Sequence, residues 1–246
     1  MATVYLGTSD FAAGILHRLA GTPYRPSLVV TRPDAPRGRG RRLAAPPVAE
    51  AAGELGIPLL QPPDVNAPEA VAAIEAEGAE ALIVCAFGAI VGEALLAHDP
   101  LNVHPSLLPR WRGAAPVERA IMAGDAETGV SIMRIDAGLD SGPVCLQEAV
   151  PIAPEDTYGT LAARLEDLSA TLLLRALEAG AGLECRPQPD AGVTYADKIT
   201  AADRTLDPAR PAIVNVRVVR ALTPHIGARL ALEDGTFLGV RDARVG

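Results

Sequence analysis

An asparagine and a histidine stand two residues apart in the segment "LNVHPSLLPRWRGAAP", residues 101–116. Asn102 and His104 lie at the carboxyl end of a short predicted strand, where open α/β sheets bind their ligands. Residues two apart on a strand point to the same face, so the two polar groups converge. An imidazole can accept a proton from an amine, and an amide can donate to a developing oxyanion, which suits acyl transfer. From the pair alone, a turn-capping Asn beside a structural His is an equally good interpretation.

A carboxylate follows in the loop "AGLDSG", where Asp140 lies between glycines that permit a tight turn. Such a carboxylate could orient His104 and stabilise its protonated form, as the Asp of a catalytic triad does. Taken in isolation, an ordinary loop Asp that accepts backbone N–H groups is the more common case.

A basic loop, residues 31–43 with the sequence "TRPDAPRGRGRRL", concentrates positive charge in a chain whose net charge is −8. Its arginines are Arg32, Arg37, Arg39, Arg41 and Arg42. The net charge excludes a general attraction to polyanions, so contact with nucleic acid has to come from a local patch such as this loop. A solvated surface loop is the alternative. "GTSDF" after the first strand could hold a phosphate at a helix N-terminus, but without GxGxxG a dinucleotide site or an NAD-dependent dehydrogenase is weakly indicated.

The remaining reactive residues indicate a cytoplasmic protein without a metal site. Cys85, Cys145 and Cys185 are far apart and form no CxxC pair, so we expect reduced thiols. The four histidines are dispersed as well. No signal peptide is evident, and the longest apolar run, residues 81–92, is too short to cross a bilayer.

Strand and helix patterns alternate over the first two thirds of the chain, which predicts a mostly parallel α/β sheet. "ALIVCAF" reads as a strand that is buried on both faces. From residue 129, two strands predicted to be antiparallel flank the "AGLDSG" loop, and residues 155–180 form a strong amphipathic helix. After residue 205 we expect a helix near residues 213–222 and a hairpin at Asp234-Gly235.

The segments "HPSLLPRWRGAAPVERAI" and "GDAETGVSIMRIDAGLDSG" resemble the folate-dependent formyltransferases. "LGTSDFA", "RPDAPRGRGRRLAAPPV", "LGIPLLQP" and "TYADKIT" are similar to the branch of that family that acts on methionyl-tRNA. The resemblance runs from residue 1 to about residue 199. It implies a Rossmann-like formyltransferase domain, 10-formyltetrahydrofolate as formyl donor, no metal, and methionyl-initiator-tRNA as acceptor.

The resemblance also implies roles for particular residues. Asn102, His104 and Asp140 match the family's catalytic trio, in which His104 accepts the amine proton or stays protonated beside the oxyanion. The match to the folate signature comprises Ser106, Leu107, Leu108 and Pro109. The match to the loop that enters the acceptor end of the tRNA comprises Arg37, Arg39, Arg41 and Arg42.

The domain organisation that we expect is a catalytic domain at 1–185, a linker at 186–204 and a partial C-terminal OB-like domain at 205–246. The family's C-terminal β-barrel is a full five-stranded unit, and the residues after 205 are too few for it, so the barrel is naturally short or the polypeptide is incomplete. "AFGAIVGEALL" also departs from the family's pterin-pocket sequence. A sugar-nucleotide N-formyltransferase and a non-catalytic folate- or tRNA-binding protein stay open as alternatives. We expect a monomer that does not bind membranes.

Overall fold

The computed structural model describes residues 2–37 and 42–245. The strands are β1 (Thr3–Gly7), β2 (Leu28–Val30), β3 (Ala35–Arg37), β4 (Arg42–Ala44), β5 (Leu59–Leu60), β6 (Ala81–Cys85), β7 (Leu101–His104), β8 (Arg112–Gly113), β9 (Glu127–Arg134), β10 (Val144–Pro151), β11 (Tyr195–Ala196), β12 (Thr205–Leu206), β13 (Ala228–Ala231) and β14 (Phe237–Val240). The helices are α1 (Asp10–Ala20), α2 (Pro47–Leu55), α3 (Pro68–Ala76), α4 (Glu93–Leu96), α5 (Pro116–Ala123), α6 (Tyr158–Ala179) and α7 (Ala212–Leu222).

Local sequence signals account for the helix ends. The Ser9 hydroxyl accepts a hydrogen bond from the backbone N–H of Ala12 at 3.3 Å and caps α1, which stops at Gly21. Helix α2 begins with Pro47 and ends at Gly56, whose φ of 63° is the left-handed conformation that favours glycine at a helix C-terminus. The order of these strands and helices confirms the predicted alternation over the first two thirds of the chain.

The main sheet has the strand order β10-β9-β7-β6-β1-β2-β5. Neighbouring strands from β7 to β5 are parallel, whereas β9 runs antiparallel to β7. Strands β1 and β2 are fully buried, and so is most of β6, because helices cover both faces of a sheet of this kind. The Rossmann-like, mostly parallel fold class is confirmed by this topology.

Contacts between residues group the chain into two compact units. The first comprises Met1–His104, Ser131–Gln147 and Glu166–Gln188, and the second comprises Pro105–Val130, Glu148–Leu165 and Pro189–Gly246. The first unit has a core of apolar side chains from β1, β2 and β6 packed with those of α3 and of the loop after β6. The domain boundaries at residues 185 and 205 stay a prediction.

The second unit contains the predicted C-terminal helix and hairpin. Strands β13 and β14 are antiparallel, β12 adds a parallel third strand, and Ala228 packs with Val219 and Leu222 of α7. Phe237 and Leu238 of the hairpin stay half-exposed, and the Arg229 guanidinium lies 3.8 Å from the centre of the Phe237 ring. The hairpin therefore contacts α7 through Ala228, while two of its large apolar side chains stay half-exposed.

The expectation that all three cysteines are reduced thiols is wrong for two of them. Cys145 and Cys185 form a disulfide across 40 residues of sequence. Val144 and Arg186 exchange backbone hydrogen bonds of 2.9 and 2.8 Å in an antiparallel bridge. Cys145, which follows Val144, therefore lies opposite Cys185, which precedes Arg186. The spacing of the cysteines could not predict this disulfide, because the disulfide depends on a β-bridge between residues far apart in the sequence. Cys85 is the buried free thiol.

Within residues 2–37 and 42–245, no helix is both long enough and apolar enough to cross a membrane.

Candidate functional site

The predicted trio converges in the first unit. Asn102 and His104 lie on β7, and both are buried, with 9% and 4% of their surface exposed. Strand β7 is held between parallel β6 and antiparallel β9, so its backbone hydrogen bonds fix the direction of both side chains. Asp140 lies in the loop between β9 and β10.

The Asp140 carboxylate bridges the other two side chains. Asn102 Nδ2 donates to Asp140 Oδ1 at 3.3 Å, and His104 Nδ1 lies 3.6 Å from Asp140 Oδ2. The Asp140 side chain is only 19% exposed, so the attraction between this carboxylate and a protonated imidazole is weakly screened. The arrangement provides an amide donor, a proton acceptor and an orienting anion at one point, which is the set that acyl transfer requires.

The loop that carries Asp140 is tightly built. Asp140 itself has a φ of 46°, a left-handed conformation that is uncommon outside glycine. The Asp136 carboxylate accepts from the backbone N–H of Gly138 at 3.0 Å and from the Ser141 hydroxyl at 2.8 Å. A Cβ at Gly142 would come 2.0 Å from the carbonyl oxygen of Arg134, so only glycine fits there.

Two further polar groups beside the trio were missed by sequence reasoning. Gln188 Nε2 donates to the carbonyl oxygens of Asp140 and Gly142, both at 2.8 Å. Ser131 lies opposite His104 in the β7–β9 register, and its hydroxyl accepts from Gln147 Nε2 at 2.8 Å. Gln188 lies in "RPQPD", where nothing in the sequence points to a loop 46 residues away.

The predicted folate segment, Ser106 to Pro109, belongs to the second unit. Ser106 is fully buried and donates to the carbonyl oxygen of Arg110 at 2.7 Å, which closes the turn after β7. Leu108 is buried, whereas Leu107 lines a pocket of about 240 Å³ together with Trp111 and Asp125. The Trp111 indole donates to Asp125 at 2.8 Å, and the Arg110 guanidinium lies 4.3 Å from the centre of its ring.

The basic loop is described only in part. Arg39 and Arg41 lie outside the described residues, and only the backbone of Arg37 is described. The Arg37 backbone pairs with that of exposed Arg42 in the antiparallel pair of strands β3 and β4. The Arg32 guanidinium donates to the carbonyl oxygen of Gly88 at 3.2 Å. The tRNA-binding role of this loop stays a prediction.

The buried thiol and the metal-ligating residue types offer no competing site within the described residues. Burial raises the pKa of the Cys85 thiol to about 12, so it is not a nucleophile at neutral pH. No cluster of three or more His, Cys, Asp or Glu side chains in residues 2–37 and 42–245 could hold a metal ion. The trio is therefore the candidate active site of the described part of the chain.

Comparison with solved structures places this fold among formyltransferases. A sugar N-formyltransferase from a Shewanella species superposes with a TM-score of 0.73 at 19% identity, covering 100% of this chain and 99% of that one. A phosphoribosylglycinamide formyltransferase from Bacillus halodurans gives a TM-score of 0.57 at 26% identity, covering 70% of this chain and 91% of that one.

Sequence comparison is more specific. Residues 1–177 match the family model described as formyl transferase. The chain is 46% identical to a methionyl-tRNA formyltransferase of Cereibacter sphaeroides, covering 93% of this chain and 76% of the relative. Identity to a methionyl-tRNA formyltransferase of Acidovorax ebreus is 47%, covering 94% of this chain and 76% of the relative. With the Rossmann-like sheet and the Asn102–His104–Asp140 cluster, these matches establish that the chain belongs to the formyl transferase family, within its methionyl-tRNA formyltransferases.

Proposed function

We propose that the protein transfers a formyl group from 10-formyltetrahydrofolate to the amino group of methionyl-initiator-tRNA, a one-carbon transfer that serves translation initiation. The observation that carries this proposal is the 46–47% identity to enzymes of that name over 93–94% of the chain. A sugar-nucleotide substrate is not favoured, because the likeness to a solved sugar enzyme rests on 19% identity and concerns the fold alone.

The chemistry needs two groups from the protein. When the amine attacks the formyl carbon, a C–N bond forms, the carbonyl oxygen gains negative charge and the nitrogen must lose a proton. Asn102 supplies an N–H donor for that oxygen: one hydrogen of its amide points to Asp140, and we assign the second to the substrate. Removing one such donor costs about 10²–10³ in rate in other enzymes.

His104 is the group that we assign to the proton. The Asp140 carboxylate, 3.6 Å from Nδ1, favours the tautomer with the hydrogen on Nδ1, which leaves Nε2 as the acceptor nitrogen. Once His104 is protonated, the same carboxylate stabilises the imidazolium. When the tetrahedral intermediate collapses, the bond between the formyl carbon and the folate nitrogen breaks, and His104 passes the proton to that departing nitrogen. Alternatively, His104 stays protonated and donates to the oxyanion.

Binding of the two substrates is assigned to the remaining predicted residues. Ser106, Leu107, Leu108 and Pro109 form a rigid segment directly after His104, and its matching sequence supports a contact with the folate. For the tRNA, exposed Arg42 on strand β4 supports a contact of this loop with phosphates, joined by Arg37, Arg39 and Arg41. A monomer in the cytoplasm stays a prediction.

The deciding experiment is a formyl-transfer assay. The protein is incubated with 10-formyltetrahydrofolate and, in separate reactions, charged initiator tRNA, glycinamide ribonucleotide and an amino-sugar nucleotide. We expect formyl-methionyl-tRNA to accumulate and the two small acceptors to remain unmodified. Turnover of the amino-sugar nucleotide alone would overturn the proposal, and folate binding without turnover of any acceptor would indicate a non-catalytic relative.

A further inference from the structure

Gln188 holds Asp140 from outside the loop that carries it. Its single amide nitrogen donates to two carbonyl oxygens of that loop, those of Asp140 and Gly142, at 2.8 Å each. Both acceptors are carbonyls, so only the NH₂ end of the amide can face them. Gln188 thereby binds the backbone of the residue whose carboxylate contacts Asn102 and His104.

The loop needs such a restraint because Asp140 is strained. A non-glycine residue with a φ of 46° costs of order 1–3 kcal/mol and persists only where its surroundings hold it. The bonds from Gly138 and Ser141 to Asp136 brace the loop before and after Asp140, but they do not bind Asp140 itself. Gln188 binds its carbonyl oxygen directly.

Gln188 is itself fixed by a double attachment. Two residues before it, Arg186 exchanges a pair of backbone hydrogen bonds with Val144, the first residue of β10. Beside this bridge, the Cys145–Cys185 disulfide joins the same two segments. Pro187 and Pro189 flank Gln188 and restrict its backbone further. The backbone of Gln188 is therefore held in place, and its side chain restrains the loop that precedes β10.

We infer that Gln188 is a positioning residue for the formyl-transfer reaction, which acts by holding the Asp140 carboxylate against Asn102 and His104. The inference rests on the proposed function, because only that function gives the carboxylate a catalytic task. Misplacement of a catalytic group by about 1 Å can cost about 10² in rate. A loop that loses this restraint should therefore lower kcat without changing how the substrates bind.

The test uses Gln188→Met, which keeps the length of the side chain and removes its donors. We expect kcat to fall about 10–100-fold, with the KM values for the formyl donor and the tRNA within about twofold of wild type. In an Asp140→Ala background the same substitution should lower kcat by less than about twofold further, because residues that act through one another are not additive. A kcat within twofold of wild type, or equal effects of Gln188→Met in both backgrounds, would overturn the inference.

A matched control separates positioning from stability. The Asn215 amide also makes two hydrogen bonds to backbone, donating to the carbonyl oxygen of Asp207 at 2.8 Å and accepting from its N–H at 3.3 Å. Asn215→Ala removes two comparable hydrogen bonds to backbone and should leave kcat unchanged. Equal losses of kcat in Asn215→Ala and Gln188→Ala would show that the effect comes from reduced stability, and would overturn the inference.

A readout without substrates distinguishes this inference from the proposed function. The chain has four histidines, so the ring nitrogen signals of His104 can be resolved by NMR. In Gln188→Met these signals should move toward those of Asp140→Ala, and unchanged signals would overturn the positioning role. If the wild-type protein formylates no acceptor, the proposed function fails, while the NMR comparison still decides whether Gln188 positions Asp140.

Discussion

Replacement of Asp140 by asparagine tests the central electrostatic argument of the site. The substitution removes the negative charge next to His104 and keeps the shape of the side chain, and its carbonyl can still accept from Asn102. Asparagine and aspartate are both found more often than most residues in this left-handed region, so the substitution adds no strain at the φ of 46°. The folded loop should therefore survive the change, and the effect should fall on the chemistry.

The magnitude follows from the distance of 3.6 Å between His104 Nδ1 and Asp140 Oδ2. At an effective dielectric constant of about 20, two unit charges at this separation attract by about 5 kcal/mol. Screening at a side chain that is 19% exposed reduces this to about 3–4 kcal/mol. Because each 1.36 kcal/mol is a factor of ten in rate, kcat should fall about 10²–10³-fold.

The assay is single-turnover formyl transfer with saturating 10-formyltetrahydrofolate and charged initiator tRNA. Asp242→Asn is the matched control, because Asp242 is an exposed carboxylate whose ion-pair partner, Arg244, is exposed too. This control should retain the wild-type rate. If Asp140→Asn folds normally and its rate stays within about threefold of wild type, the carboxylate does not stabilise an imidazolium and the argument is refuted.

Three further predictions concern other parts of the molecule. His104→Ala should lower kcat about 10²–10⁴-fold and leave folate binding unchanged in equilibrium titrations, and a near wild-type kcat would contradict its role in proton transfer. Substitution of three arginines of the basic loop by alanine should raise the KM for tRNA, flatten its salt dependence and leave the KM for the formyl donor unchanged; an unaltered tRNA KM would favour a merely solvated loop. The substituted residues are Arg39, Arg41 and Arg42. Hydrogen bonds from Arg164 at 2.7 Å, opposed by burial, lower the pKa of Asp156 from 3.8 to about 2. Because the folded-state pKa is depressed, this stabilisation is present above about pH 4 and is lost as the pH falls to about 2. Asp156→Asn should thus lower the free energy of unfolding by about 2 kcal/mol at pH 7 and by little at pH 2, and urea titrations with equal losses at both values would disprove the assignment.

Much of the fold could be predicted because its signals are local. Ser9 and Gly21 mark the ends of α1 through capping chemistry that involves only neighbouring residues. The unbroken apolar run of β6 predicts a strand that is covered on both faces, since such a run has no polar side to turn toward water. The segment around Asn102 and His104 is likewise readable, because residues two apart on one strand must share a face.

Other features depended on contacts between residues distant in the sequence. Asp140 could be suspected from its glycine-flanked loop, but its approach to Asn102 follows only from the antiparallel pairing of β9 with β7. Cys145 and Cys185 gave no spacing signal, because a β-bridge across 40 residues brings them together.

The main strands and helices, their order and the residue types at the carboxyl end of β7 could be predicted from the sequence, because capping, periodicity and strand alternation act over a few residues. The contact of one carboxylate with both Asn102 and His104, and the hydrogen bond from Gln188 to the loop that carries it, are visible only in the folded structure. The physical reason is that hydrogen bonds and ion pairs depend on distances of about 3–4 Å in space. The sheet sets those distances by pairing strands that are far apart in the sequence, so no local sequence pattern can predict them.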